Sequence, residues 1–384
     1  MTKVHDELSE REMRQIAEKF VTKNMKIGKK GKRYENVRIL YNITDPSCVR
    51  FAEIIEEECW KVGAHTLMIP DSSIRDRRCY ELKPEDSLSE MSKISEALAK
   101  SVDVTIYIGE EDDPNWARGL AHKLRLSAPV REKIREILDK RKVRWAYFGW
   151  PVPGAAKGYG FPVKKFREIF FDCIRETFRE RLLETCEVYR KSLENRKEVR
   201  ITADDGTDLC FSIKKRPILV DDGILSEEDL KRGDVGVNIP AGEVFVAPIE
   251  TSAKGEIFFD EIAIPGFGKV KQLRLTFENG KIEKFEAEMG EEAFKKFLDA
   301  NTGEKDRIAE FGIGTNRMAR YTGGSIIIDE KIFGTIHIAI GNNRGAYHGK
   351  NKASCHLDMI KDMRDGEVTV DGLTIMKGGK PIEH

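Results

Sequence analysis

The stretch "VRILYNITDPSCVRF", residues 37–51, decides the fold of the first half of the chain. Its β-branched and aromatic run predicts a strand over 37–44, and Asp45-Pro46 predicts a helix directly after it, with an N-cap and a proline in the first helical position. A strand that feeds at once into a helix is the unit of a parallel sheet. "HTLMIP" (65–70), "VDVTIYIG" (102–109) and "VRWAYFGW" (143–150) repeat the strand signal. Gly63 is a fitting stop for the first helix, and Ser87 with Glu90 reads as a capping box ahead of Met91, Ile94 and Leu98. Three or four βα units are expected. The turn after the first strand contains no glycine, so its backbone cannot cradle a pyrophosphate. "GYG" at 158–160 and "GIG" at 312–314 also fall short of a dinucleotide fingerprint.

Beyond this region the grammar changes. From Pro162 to about Asn195 the residues Val163, Phe166, Phe170, Ile174, Phe178, Leu182, Cys186 and Tyr189 keep a helical period, which predicts one long helix. After it come hairpin signals around Asp205-Gly206 and Asn279-Gly280, interrupted by one short helix, "GEEAFKKFLDA". The expected fold is an α/β domain of residues 1–195 with a largely parallel sheet, followed by an α+β, mainly antiparallel domain of residues 196–384.

Composition bounds the partners. Lys+Arg and Asp+Glu are equal at 66 each, so nothing draws the chain as a whole toward nucleic acid or an anionic membrane. The run "KIGKKGKR" (26–33) has no interleaved aromatic residues for bases to stack on and reads as a solvated loop. No segment approaches the ~18 apolar residues of a membrane span, and "MTKVHDELSEREMRQ" is charged where a signal peptide is apolar. A cytoplasmic location is expected. The seven cysteines form no C-x-x-C pair and read as reduced thiols. High charge with only two glutamines, Gln15 and Gln272, fits a heat-adapted protein.

Residues with ligand chemistry collect in the second half. Of seven histidines, 337, 348, 356 and 384 lie in its last part. In "TIHIAIG" (335–341) the two-residue period sends Ile336, Ile338 and Ile340 to one face and His337 to the other, beside Thr335, Ala339 and Gly341. In "ASCHLDMI" (353–360) it places His356 and Asp358 on one face, opposite Cys355, Leu357 and Met359. Glu243 in "NIPAGEVFVAP" and Glu310 in "RIAEFGIGTN" have apolar neighbours that make an unpaired charge costly, and Glu330 stands just before "KIFGTIHIAIG". Any one of these residues alone is more simply a satisfied core group. Together, neutral imidazole with several carboxylates is the ligand set of zinc, manganese or cobalt, and the number exceeds what one ion can use.

The segments "IPAGEVFVAP", "AEFGIGTN", "DEK...GTIHIAIG" and "NKASCHLD" resemble, in order and approximate spacing, the metal-binding segments of the family of aminopeptidase T and aminopeptidase S, dinuclear metallo-aminopeptidases. The likeness covers the second domain; the first is similar only in its βα organisation. The resemblance implies two divalent ions (Zn, Co, Mn or Mg) held by Glu243, Glu310, Glu330, His337, His356 and Asp358, with Glu310 as the bridge. It also implies short peptides as substrates and a homodimer; in such hydrolysis a glutamate shuttles the proton from water to the leaving amine, and Glu243 is the candidate for it. Two features depart from the pattern: six residues separate Glu330 from His337, and the tyrosine that follows the histidine strand is displaced. Tyr347 is its nearest counterpart, with Arg344 and His348 as alternatives for steadying the oxyanion. A rival reading starts from His337, His356 and Asp358 alone, a 2-His-1-carboxylate set suited to mononuclear Fe(II) and dioxygen. Ring-cleaving dihydroxypyridine dioxygenases resemble this same family.

Overall fold

The structure is a computed structural model that describes residues 6–383, so His384 and the first five residues of the N-terminal stretch lie outside the described residues. The chain forms two compact units, Met1–Phe171 with Gly223–Ile239, and Asp172–Asp222 with Pro240–His384. Among the described residues no helix is long and apolar enough to cross a membrane.

The first unit is built on a five-stranded parallel sheet. Its spatial order is Gly236–Ile239, Arg144–Phe148, Val104–Ile108, Asn36–Asn42, His65–Asp71. Every neighbouring pair is parallel, the doubly wound arrangement expected from strands that feed helices. The helix Pro46–Lys61 starts where the sequence indicates: the Asp45 side chain accepts hydrogen bonds from the backbone N–H groups of Ser47 and Cys48, and Pro46 occupies the first turn. At the carboxyl end of Val104–Ile108 the chain runs into Glu110, Glu111, Asp112 and Asp113, acidic residues that would repel a phosphate.

Three sequence expectations are corrected here. The helix assigned to a Ser87–Glu90 cap instead begins at Lys93, with Ser92 as its N-cap; Pro84 precedes a separate short helix, Glu85–Leu88. The long helix over 162–195 is two helices, Val163–Thr177 and Glu180–Leu193, because Arg179 is extended and interrupts the ladder. Contacts divide the chain not at residue 195 but within the first of these helices, and Gly223–Ile239 returns to the first unit. The physical reason is hydrogen bonding. The strand Gly236–Ile239 pairs along Arg144–Phe148, whose outer edge would otherwise present unpaired N–H and C=O groups.

The second unit contains two antiparallel sheets. One has eight strands and includes the expected hairpins: Glu198–Ala203 with Asp208–Ser212, and Gly268–Glu278 with Lys281–Glu286. Asn279 and Gly280 both take positive φ at the second turn, as that two-residue loop requires. The other sheet has five strands in the order His356–Asp362, Thr335–Gly341, Ile308–Gly314, Glu243–Val246, Leu219–Asp221. Its apolar face, with Val244, Phe311, Ile313, Ile336, Ile338, Ile340 and Met359, shares one core with Val199, Ile201, Phe211, Ile257 and Phe259 of the eight-stranded sheet. The opposite face of the five-stranded sheet is therefore left for chemistry.

In the first unit Arg144 and Glu35 form a buried ion pair, with side chains 8% and 5% exposed. Glu35 also accepts from the Gly28 backbone N–H at 3.1 Å. Replacing Glu35 with alanine strands the guanidinium, and chemical denaturation of Glu35→Ala should show a loss of about 3–5 kcal/mol.

Candidate metal centre

The register of the five-stranded sheet assembles the polar face. Directly opposed residues of antiparallel strands point the same way. Glu243 lies opposite both Gly314 and Asp221, Gly312 opposite His337, Ala339 opposite Asp358, and Gly341 opposite His356. One more residue joins them through an irregularity. Strict alternation would send Ile308 and Glu310 to the same face, but a bulge between them lets Ile308 enter the core opposite Ile340 while Glu310 lies opposite Ala339 on the polar face.

Glycine supplies the space. A Cβ on Gly312 would stand 2.1 Å from Cε1 and Nε2 of His337, so any side chain there collides with the imidazole. The ring lies over the bare backbone of the neighbouring strand.

The side chains converge on Glu310. Its Oε1 is 3.2 Å from His337 Nε2, and its Oε2 is 3.1 Å from His356 Nε2. Asp358 Oδ1 is 3.2 Å from the same His356 nitrogen, and Glu243 Oε2 is 3.6 Å from His337 Nε2. Donor atoms of Glu243, Glu310 and His337 lie within 4.8 Å of one another, and so do those of Glu310, His356 and Asp358. Metal–ligand bonds of about 2.0–2.2 Å require donors of one ion to stand roughly 3.3–3.6 Å apart in a tetrahedron, which these distances approach. The nitrogen and oxygen donors are of the right chemistry, so the residues fit a divalent metal, with Glu310 common to both triads. His356 Nδ1 lies 2.8 Å from the Asn342 carbonyl, an acceptor that keeps the proton on that nitrogen and turns the Nε2 lone pair toward the site.

The remaining candidates fall around this pair. Glu330 belongs to neither triad; its Oε1 is held by Lys331 Nζ at 2.8 Å. Lys331, side chain 1% exposed, also reaches Glu243 Oε1 at 2.9 Å and Asp221 Oδ2 at 3.0 Å. Tyr347 faces the centre, with its ring 6.0 Å from that of His356. Arg344 and His348 are exposed. Sequence reasoning missed Lys331 and Asp221. The available signal was a lysine placed directly before the apolar pair Ile332-Phe333.

Charge is unevenly held. Burial would push the Glu310 carboxyl up, but hydrogen bonds from His337 and His356 hold it well below the usual carboxylate range. Burial and then the charge of Glu330 push Glu243 well above it. Burial alone would lower His337, yet the hydrogen bond and charge of Glu310, with Glu243, raise it to about 9. The His356 and Asp358 side chains, 28% and 13% exposed, form the open side of the cluster, and His337 and Glu310, at 1% and 4%, the closed side.

A profile of the thermophilic metalloprotease family (M29) matches residues 9–382. The chain belongs to that family. It is therefore the family of aminopeptidases T and S that the four segments suggested. Aminopeptidase AmpS of Bacillus subtilis is 22% identical over 370 residues, spanning 84% of this chain and 88% of that protein. The structure of wild-type AmpT from Thermus thermophilus superposes with a TM-score of 0.73 at 19% identity, covering 97% of this chain and 99% of that one. A 2,5-dihydroxypyridine dioxygenase from Pseudomonas putida KT2440 shares the fold at a TM-score of 0.63 and 15% identity, with 98% of each chain covered.

Two outcomes follow for this M29 chain. Gly312→Ala should displace the His337 ring and weaken metal binding by ~10–100-fold in a chelator competition assay. In metal-free protein, His337 binds its proton more tightly folded than unfolded. The stabilisation is thus fully present below about pH 6.5 and is lost as pH rises through about 9, so melting temperature should fall across that window.

Proposed function

We propose that the protein removes the N-terminal residue from short peptides, using two divalent ions bridged by Glu310. By family it is a metallo-aminopeptidase, a hydrolase. The observation that carries the two-ion reading is the Glu310 carboxylate, one oxygen facing each histidine at the shared corner of two donor triads. Glu243 and His337 would complete one position, and His356 and Asp358 the other. Zinc, cobalt, manganese and magnesium are the candidate ions for an oxygen and imidazole set. When bound, such ions polarise a scissile carbonyl and bring the pKa of a water toward neutrality.

The chain's own groups supply the rest. Glu243 Oε2 faces the cluster while Oε1 is occupied by Lys331, and a carboxyl pushed upward by burial and by Glu330 can hold a proton in transit from the water to the leaving amine. The Tyr347 hydroxyl is kept protonated by burial and by the charges of Glu310 and Asp358, so it remains a donor for oxygen that becomes negative during attack. His356 and Asp358, on the open side, are the first ligands that a peptide amine meets.

The rival reading keeps only His337, His356 and Asp358 around one Fe(II). It leaves Glu243 beside His337 and both oxygens of Glu310 without a task, and the dioxygenase likeness at 15% identity concerns the fold. Elemental analysis of the purified protein should give two ions per chain. Dialysis against a strong chelator should abolish release of amino-acid arylamides, and cobalt or zinc should restore it. One iron per chain with oxygen consumption would overturn the proposal.

A further inference from the structure

Lys331 brings an ammonium to the centre that neither donor triad includes. It is 1% exposed and its ammonium, which has three N–H donors, meets three carboxylates: Glu330 at 2.8 Å, Glu243 at 2.9 Å and Asp221 at 3.0 Å. Hydrogen bonds to Glu330 and Glu243, with the Asp221 carboxylate at ion-pair distance, hold the nitrogen in place. The backbone is fixed as well. Asn316 N–H donates to the Lys331 carbonyl at 2.9 Å, and the Lys331 N–H donates to Ile328. Asp221 lies opposite Glu243 in the sheet register and is a member of neither triad.

Resting on the two-ion reading above, we infer that Lys331 is a positioning residue of the metal centre, a permanent monovalent cation that occupies one oxygen of Glu243 and one of Glu330. One consequence follows from the geometry. Glu243 presents only Oε2 toward His337, because Oε1 is taken, which limits it to one donor atom for an ion. Lys331 thus fixes how the carboxylates of Glu243 and Glu330 are presented. When the ions leave, it is the one cation of fixed charge that remains among these groups.

The test compares wild type, Lys331→Met and Lys331→Arg, each stripped of metal and each reloaded with cobalt, by metal content, melting temperature and the visible absorption of bound Co(II). The absorption bands report the number and arrangement of donors independently of activity. In K331M the drop in melting temperature on stripping should exceed that of wild type by roughly 10 °C, since removing one partner leaves buried charges unpaired. Its cobalt bands should shift as Glu243 frees its second oxygen. K331R retains the charge without the geometry, so its stripping drop should stay near that of wild type while its bands shift. Wild-type behaviour of K331M in both measurements overturns the inference. If K331M is insoluble even with cobalt, unchanged bands in K331R overturn it. Uptake of one cobalt by wild type would overturn the two-ion reading instead, and the K331M bands would then judge the positioning role alone.

Discussion

A carboxylate in the middle of a sheet, 4% exposed, has to be paired, and Glu310 is paired twice. The rest of the polar face can be understood as what that requirement imposes. A bulge turns the side chain away from the core, Gly312 clears the space for His337, and a backbone carbonyl orients His356 so that its free nitrogen faces the carboxylate. The apolar face of the same sheet provides the rigidity. Isoleucines on alternate positions of Thr335–Gly341 lock the strand against a core shared with the eight-stranded sheet, which leaves the ligands little freedom to drift.

The cluster is overloaded with negative charge, and the fold meets this in two ways. His337 and His356 stand within hydrogen-bond distance of Glu310, whose charge raises the affinity of both rings for protons. Lys331 ties down the outer carboxylates, Glu243, Glu330 and Asp221. Metal binding to imidazole and carboxylate requires their deprotonated forms, so ions taken up under the proposed function would release protons.

Much of this was legible in the sequence where one rule governs one element. The period of two placed His337, His356 and Asp358 on their faces because those strands are regular over their full length. It could not place Glu310, whose facing depends on a bulge set by the partner strand. Glu330 was read as a ligand from its position before the histidine strand, while its carboxylate is engaged by Lys331, a contact that arises from tertiary packing. Local capping chemistry gave the helix after Asp45 correctly but not the one after Ser87, where a proline-led turn and Ser92 compete for the start. The break at Arg179 carries no glycine or proline to announce it. The return of Gly223–Ile239 was invisible because its partner strand lies far back in the chain.

That return also bears on how the protein is made. The parallel sheet of the first unit is not complete until residue 239 has left the ribosome, long after Arg144–Phe148 has emerged and while the first strands of the second unit are already out. Until then the outer edge of Arg144–Phe148 is an open template for another strand, its own or a neighbour's. The two units are therefore interleaved in time as well as in sequence. Neither can be excised as one continuous segment.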